Sequence, residues 1–292
     1  MNPLPSTAEL LTSGDDHRLK PDPITGRNHY LCHPTPDDNT LRFGSSTASN
    51  IDQQGWQIAN QIREQMAQDS TTMERPLWLQ QHYDHICHTL RTLWSLPDST
   101  AITLTESGTS AHRLAAEIVS TESSYPLRTI IMQPSETGSG VPAAATLNNS
   151  LPLHTIALRN SDGTPRSAAA IDTAVVQQVE RSIQQGGALL LIMVDGSKSG
   201  LQAPSLTTAL ALRQQFPDRI HLLLDGCQLR FGSASVRHYL EQGVMVAITG
   251  SKFFAGPSFS GALLTPAGRE QPVRAHAGLL LRWQVALQTM AL

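Results

Sequence analysis

The sequence predicts an α/β protein, a three-layer sandwich built round a mostly parallel sheet of seven strands. Three observations carry this reading. Beyond Pro97, short apolar or β-branched runs alternate with helical stretches, at 101–105, 129–132, 153–158, 188–194, 220–224 and 244–249. The run at 188–194, Ala-Leu-Leu-Leu-Ile-Met-Val, is apolar at every position, as a strand covered on both faces must be. A chain of 292 residues with 40% apolar and 15% charged side chains can also bury a large core.

Taken in order, residues 1–50 are rich in Pro, Asp, Asn, Ser and Thr and lack periodicity, which predicts an extended arm with turns, of the kind that packs on a partner subunit. In 51–96, Ile58, Ile62 and Met66 recur every four residues, and Leu79, Tyr83, Ile86, Leu90 and Leu93 every four or three, which predicts two amphipathic helices. From 97 to 275 no composition break marks a linker, so one large domain is expected, with crossover helices at 110–120, 168–184, 204–215 and 235–242. A seventh run, 261–264, follows 244–249 after a loop too short for a helical crossover, so that pair should be antiparallel. Residues 276–292 begin a further helix that reads as the start of a truncated C-terminal segment. Uncovered, it would expose Leu280, Trp283 and Leu287.

With 21 basic and 24 acidic side chains and no basic run, the chain has no electrostatic footprint for nucleic acid or anionic lipid, and neither is an expected partner. Three widely spaced cysteines, Cys32, Cys87 and Cys227, suit a reducing compartment. The N-terminus has neither the basic start nor the apolar stretch of a signal peptide, and no apolar run is long enough for a bilayer, so a cytoplasmic protein is expected.

In open α/β sheets, ligands bind beyond the carboxyl ends of the strands. After the first strand, Gly108 allows a tight turn, and Thr109 and Ser110 open a helix whose free N–H groups favour an anion; an ordinary Ser/Thr cap accounts for the same residues. The fifth strand ends in Asp225, with Gln228 three residues on, and a buried carboxylate needs a partner: a cationic ring nitrogen or the next helix. The sixth ends in Gly-Ser-Lys, placing Lys252 between Ser251 and two aromatic rings, where an amine is costly unless neutral or covalently used.

Asp225-Gly-Cys-Gln228, followed 24 residues later by Lys252 within Gly-Ser-Lys and then by Gly-Pro-x-x-x-Gly-Ala-Leu, resembles the pyridoxal-phosphate enzymes of fold type I, nearest by motif to the class V aminotransferase and cysteine desulfurase group. The resemblance covers roughly residues 40–285. It implies pyridoxal 5'-phosphate as cofactor, Lys252 as the catalytic lysine of the internal aldimine, and Asp225 as the carboxylate that keeps the pyridine nitrogen protonated. It further implies Gln228 on the phenolic oxygen, Gly108, Thr109, Ser110 and Ser251 about the phosphate, and Thr137 where the group carries a stacking His. Arg42-Phe-Gly-Ser45-Ser46-Thr47 resembles the segment lining the substrate pocket, and residues 195–199 lie at its mouth. The implied activity is amino-group transfer on an amino acid or related primary amine, with a lyase or desulfurase, or a truncated non-catalytic binding domain, as alternatives. The group also implies a homodimer and a substrate-gripping arginine that neither Arg274 nor Arg282 matches.

Other motifs have weaker claims. Gly138-Ser-Gly-Val-Pro-Ala143 fits a dinucleotide fingerprint, but no acidic residue ends the next strand. His82, His85 and His88 drift round a helix that already has an apolar face, so no metal is expected. Cys227 reads as a small buried filler and Lys198 as an exposed loop residue, a poor rival to Lys252.

Overall fold

The computed structural model describes residues 4–37, 40, 44, 48–266 and 275–291. Ser45, Ser46 and Thr47, expected at the substrate, lie outside the described residues, as do Arg42 and Arg274.

The arm is less extended than its composition suggests. It holds a short helix, α1 (Thr7–Leu11), closed by a reciprocal Ser6–Glu9 cap, and a 3-10 turn at His17–Leu19. Leu10, Leu11 and Leu19 are buried, Thr7 Oγ1 donates to Asn60 Oδ1 (2.6 Å), and Arg63 donates to the carbonyls of Leu4 and Pro5. The arm thus packs on its own chain. Two long helices follow, α2 (Gln53–Thr72) and α3 (Arg75–Leu93).

The α/β region then runs β1 (Ala101–Thr105), α4 (Gly108–Glu122), β2 (Leu127–Met132), α5 (Val141–Ala145), β3 (Leu153–Ile156) and α6 (Ala168–Gln184). It continues through β4 (Ala188–Val194), α7 (Leu206–Gln215), β5 (Ile220–Asp225), α8 (Ser233–Glu241), β6 (Met245–Thr249), β7 (Gly261–Thr265) and α9 (Ala277–Met290). Side chains of Ser107, Ser167 and Ser205 cap the first turns of α4, α6 and α7, each worth about 1 kcal/mol to its helix.

Among the described residues the strands form one seven-stranded sheet, ordered β1-β7-β6-β5-β4-β2-β3. β2, β3, β4, β5 and β6 pair in parallel, and β7 runs antiparallel to both β6 and β1, as the short loop before it requires. Successive β4 residues face opposite layers. Leu190 and Ile192 pack with Ala115, Val119 and Val141 of α4 and α5, whereas Leu189, Leu191 and Met193 join the core beneath the remaining helices. Burial on both faces is why this strand carries no polar position: each such aliphatic side chain gains about 1.5–3 kcal/mol on leaving water.

The last helix is fully integrated. α9 packs against α1, α2 and α3, which covers Leu280, Trp283 and Leu287, and Trp283 Nε1 donates to the Gly261 carbonyl (2.8 Å). Arg282 is completely buried as well, donating to the carbonyls of Phe259 and Ser13 and to Glu106 Oε2 (2.5 Å). No helix among the described residues is long and apolar enough to cross a membrane, and all three cysteines are free and buried.

Candidate active site

The carboxyl ends of β1, β5 and β6 converge on one cavity of about 190 Å³. Its first wall is the start of α4. Gly108 fits there because a Cβ would lie 2.4 Å from Cys227 Sγ and 3.2 Å from Thr249 Cγ2. Gly261 is needed for the same reason, since a Cβ would lie 2.4 Å from the Ser107 carbonyl carbon. These two close approaches let the positive end of a 15-residue helix, with Gly108 and Thr109 on the cavity, sit against β5, β6 and β7.

The second wall is Asp225, the last residue of β5, whose Oδ1 accepts the Cys227 N–H (3.2 Å). Its Oδ2 lies 3.5 Å from Nε2 of His112, one turn into α4 and completely buried. That separation is ion-pair contact rather than a hydrogen bond, and Nε2 has no hydrogen-bond partner. His112 Nδ1 donates to the Gly108 carbonyl (2.7 Å). Burial opposes charge on both groups, but each outweighs it for the other: the Asp225 carboxylate holds the imidazole above its usual pKa, and His112, helped by Lys252, holds the carboxyl far below its own. Asp225 is a carboxylate.

Beyond β6, Ser251 is buried and Lys252 half-buried, both on the cavity, and the Lys252 charge reaches Asp225, His112 and Cys227. No ion pair to the Lys252 amine is present among the described residues. Cys227, the filler expected, lies under α4 with its thiol pushed well above the usual value by burial and by Asp225.

The structure therefore brings Gly108, Thr109, Asp225, Ser251 and Lys252 together on one cavity. Ser110, Thr137 and Gln228 do not line it. The Ser110 N–H is taken by the Ser107 cap, and Thr137 is buried beside the cavity wall with Oγ1 unpartnered. Lys198 is exposed, as expected, yet its loop borders the cavity. Glu136 holds that loop, accepting from Ser197 Oγ (2.7 Å), Ser199 Oγ (2.6 Å) and Arg159 Nε (2.8 Å). Gly138 and Gly140 border the same cavity, but the helix after them, α5, has only five residues, unlike the long helix of a dinucleotide site. His82 is engaged elsewhere, against Asp69 and Gln284.

Among the cavity residues that escaped the sequence reading are His112, Arg18 and Tyr30. A signal existed for His112, which interrupts a stripe of small apolar residues, Ala111, Ala115, Ala116 and Val119, one turn past Gly108. For Arg18 and Tyr30, in the arm, none did.

No family model matches the chain, and no curated protein matches it. Solved structures do. A NifS-like protein superposes with a TM-score of 0.59 at 13% identity, over 85% of this chain and 68% of its own. A putative histidinol-phosphate aminotransferase from Erwinia carotovora atroseptica gives 0.56 at 11%, over 84% and 68%. A C-DES variant with glycine covalently linked to its pyridoxal-phosphate cofactor gives 0.55 at 15%, over 87% and 74%. The fold is that of the fold type I pyridoxal-phosphate enzymes. Identities this low establish architecture only, and the chemistry of a fold type I site must be argued from the cavity itself.

The cavity residues fit that cofactor. A helix N-terminus suits a phosphate, an ionised buried carboxylate suits a protonated ring nitrogen, and an amine that makes no ion pair among the described residues shares their cavity.

Proposed function

We propose that this chain binds pyridoxal 5'-phosphate and transfers an amino group to or from an amino acid or related primary amine. The observation that carries this is the placement of Asp225, Lys252 and the α4 N-terminus on one cavity at the strand ends. The cofactor supplies, when bound, an aldehyde and an electron-accepting ring that no side chain offers. Asp225, kept ionised by His112, would hold the proton on the ring nitrogen. Gly108, Thr109 and Ser251 would bind the phosphate. Lys252 Nζ would bind the aldehyde carbon and, once freed, take and return a proton at the substrate's α-carbon.

Transfer is favoured over a desulfurase reaction by Cys227. It is a cysteine on the cavity, but it is buried and holds its proton, so it offers no thiolate for attack on sulfur. A reducing, cytoplasmic setting suits the three unpaired cysteines. We also propose a homodimer: Leu31 and Phe253, each next in sequence to a cavity residue, expose 63% and 64% of their surface. Sedimentation as a monomer at micromolar concentration would refute the dimer.

The test of the function is spectroscopic. Purified protein with added pyridoxal phosphate should develop a yellow absorption band, and borohydride should fix the cofactor to the peptide containing Lys252. Lys252→Ala should abolish fixation. Labelling at another lysine, or no binding, would refute the assignment.

A further inference from the structure

We propose that Arg18, carried by the N-terminal arm, is the side-chain anchor for the ligand's phosphate. This rests on the pyridoxal-phosphate reading above and extends it to a residue outside the sheet. Asp16 fixes the guanidinium through Nε (2.8 Å) and Nη2 (2.5 Å) and also caps the turn that bears it. The guanidinium lies over Phe259, its carbon 5.5 Å from the ring centre. So held, the other edge of the fork faces the start of α4: Nη2 donates to Ser107 Oγ (3.2 Å) and Nη1 to Thr109 Oγ1 (3.4 Å) and Tyr30 Oη (3.1 Å). All three acceptors are neutral hydroxyls, and the Thr109 contact at 3.4 Å is beyond the usual range, whereas charge-assisted bonds to anions run about 2.7–2.9 Å. A phosphate at the helix N-terminus is the charged acceptor this edge lacks.

Two features mark the cavity as a ligand site: fully buried His112 lines it with Nε2 making no hydrogen bond, only the 3.5 Å contact to Asp225, and the half-buried amine of Lys252 makes no ion pair among the described residues. Gly140 leaves room for Thr109, the residue that Nη1 meets, since a Cβ there would lie 3.0 Å from Thr109 Cγ2 and 3.1 Å from its Oγ1. Asp16 explains how the arginine is tolerated before ligand arrives: the pair is neutral overall, and the fork needs no reorganisation to accept an anion.

The experiment compares two ligands that differ only in the phosphate. Equilibrium dialysis of pyridoxal phosphate and of pyridoxal is run on the wild type and on Arg18→Ala, with thermal unfolding confirming the fold. Loss of about tenfold or more in affinity for pyridoxal phosphate, with pyridoxal affinity unchanged and Arg18→Lys partly restoring the loss, is the expected result. Equal loss for both ligands would show that Arg18 only shapes the cavity, and no loss for either would show it idle; both overturn the inference while leaving the cofactor reading standing. Should the alanine variant not fold, Arg18→Gln keeps a polar side chain of intermediate length and removes the charge. A wild type that binds neither ligand overturns the cofactor reading and this inference with it.

Discussion

At residue scale, the site depends on one close approach and one ion pair. Gly108→Ala drives a methyl into Cys227 Sγ, so it should destabilise the fold by about 1–3 kcal/mol in urea unfolding. Adding Cys227→Ala removes the sulfur and leaves Thr249 Cγ2 at 3.2 Å and the residue-227 Cβ at 3.4 Å as the nearest atoms, so the double variant should recover much of the loss. Additive losses would mean that the clash is not the cause. For the His112–Asp225 pair, a carboxyl held below its usual 3.8 stabilises the fold above that value, and an imidazole held above 6.5 stabilises it below its raised value. The contribution is therefore complete between 3.8 and 6.5. His112→Asn, which leaves Asp225 buried and unpaired, should cost about 3 kcal/mol there. The difference from wild type should shrink as alkali removes the imidazole proton. A pH-independent difference would refute the pairing.

At the scale of elements, two braces hold the cavity walls. Glu136 ties the loop after β2 to the loop after β4. Burial raises its pKa, yet the bonds from Ser199, Ser197 and Arg159 outweigh burial and bring it to about 2 from 4.5. A depressed carboxyl stabilises above 4.5, and that contribution is lost as pH falls toward 2. Glu136→Gln should therefore cost about 1–2 kcal/mol near neutrality, with the difference fading below 4.5, as followed by chemical denaturation. The second brace is Arg282, which joins α9, the arm and the turn before α4. Burial lowers its pKa to about 10, against the pull of Glu106, so it remains charged near neutrality. Arg282→Met strands Glu106, leaving it His276 (2.5 Å) among the described residues, and should cost about 3–5 kcal/mol in thermal unfolding. A loss below 1 kcal/mol (about the value of an exposed pair) would deny Arg282 this role.

At the scale of the molecule, what was legible in the sequence followed chain-local physics. A strand buried on both faces must read as an unbroken apolar run, so β4 was found to the residue, and the short link to β7 fixed its direction. Asp225 and Lys252 stood out because charge at the end of such a run needs a reason. Elsewhere the decisive partner is remote in sequence. Arg18 meets Thr109 across 91 residues and Arg282 meets Ser13 across 269, and no local pattern records either contact. The arm looked extended because its burial rests on a few leucines spaced by turns, and α5 was missed because five residues show no periodicity.

The Glu106–Arg282–Ser13 chain of contacts has one further result. Glu106 adjoins Ser107, and Arg282 grips the arm that carries Arg18, so filling the anion cup and docking the arm share one set of bonds. Ligand binding should then slow amide hydrogen exchange at residues 10–19 as well as at the start of α4, because opening either stretch would first require release of the ligand. Exchange in the arm that ignores saturating pyridoxal phosphate would show that the two move independently.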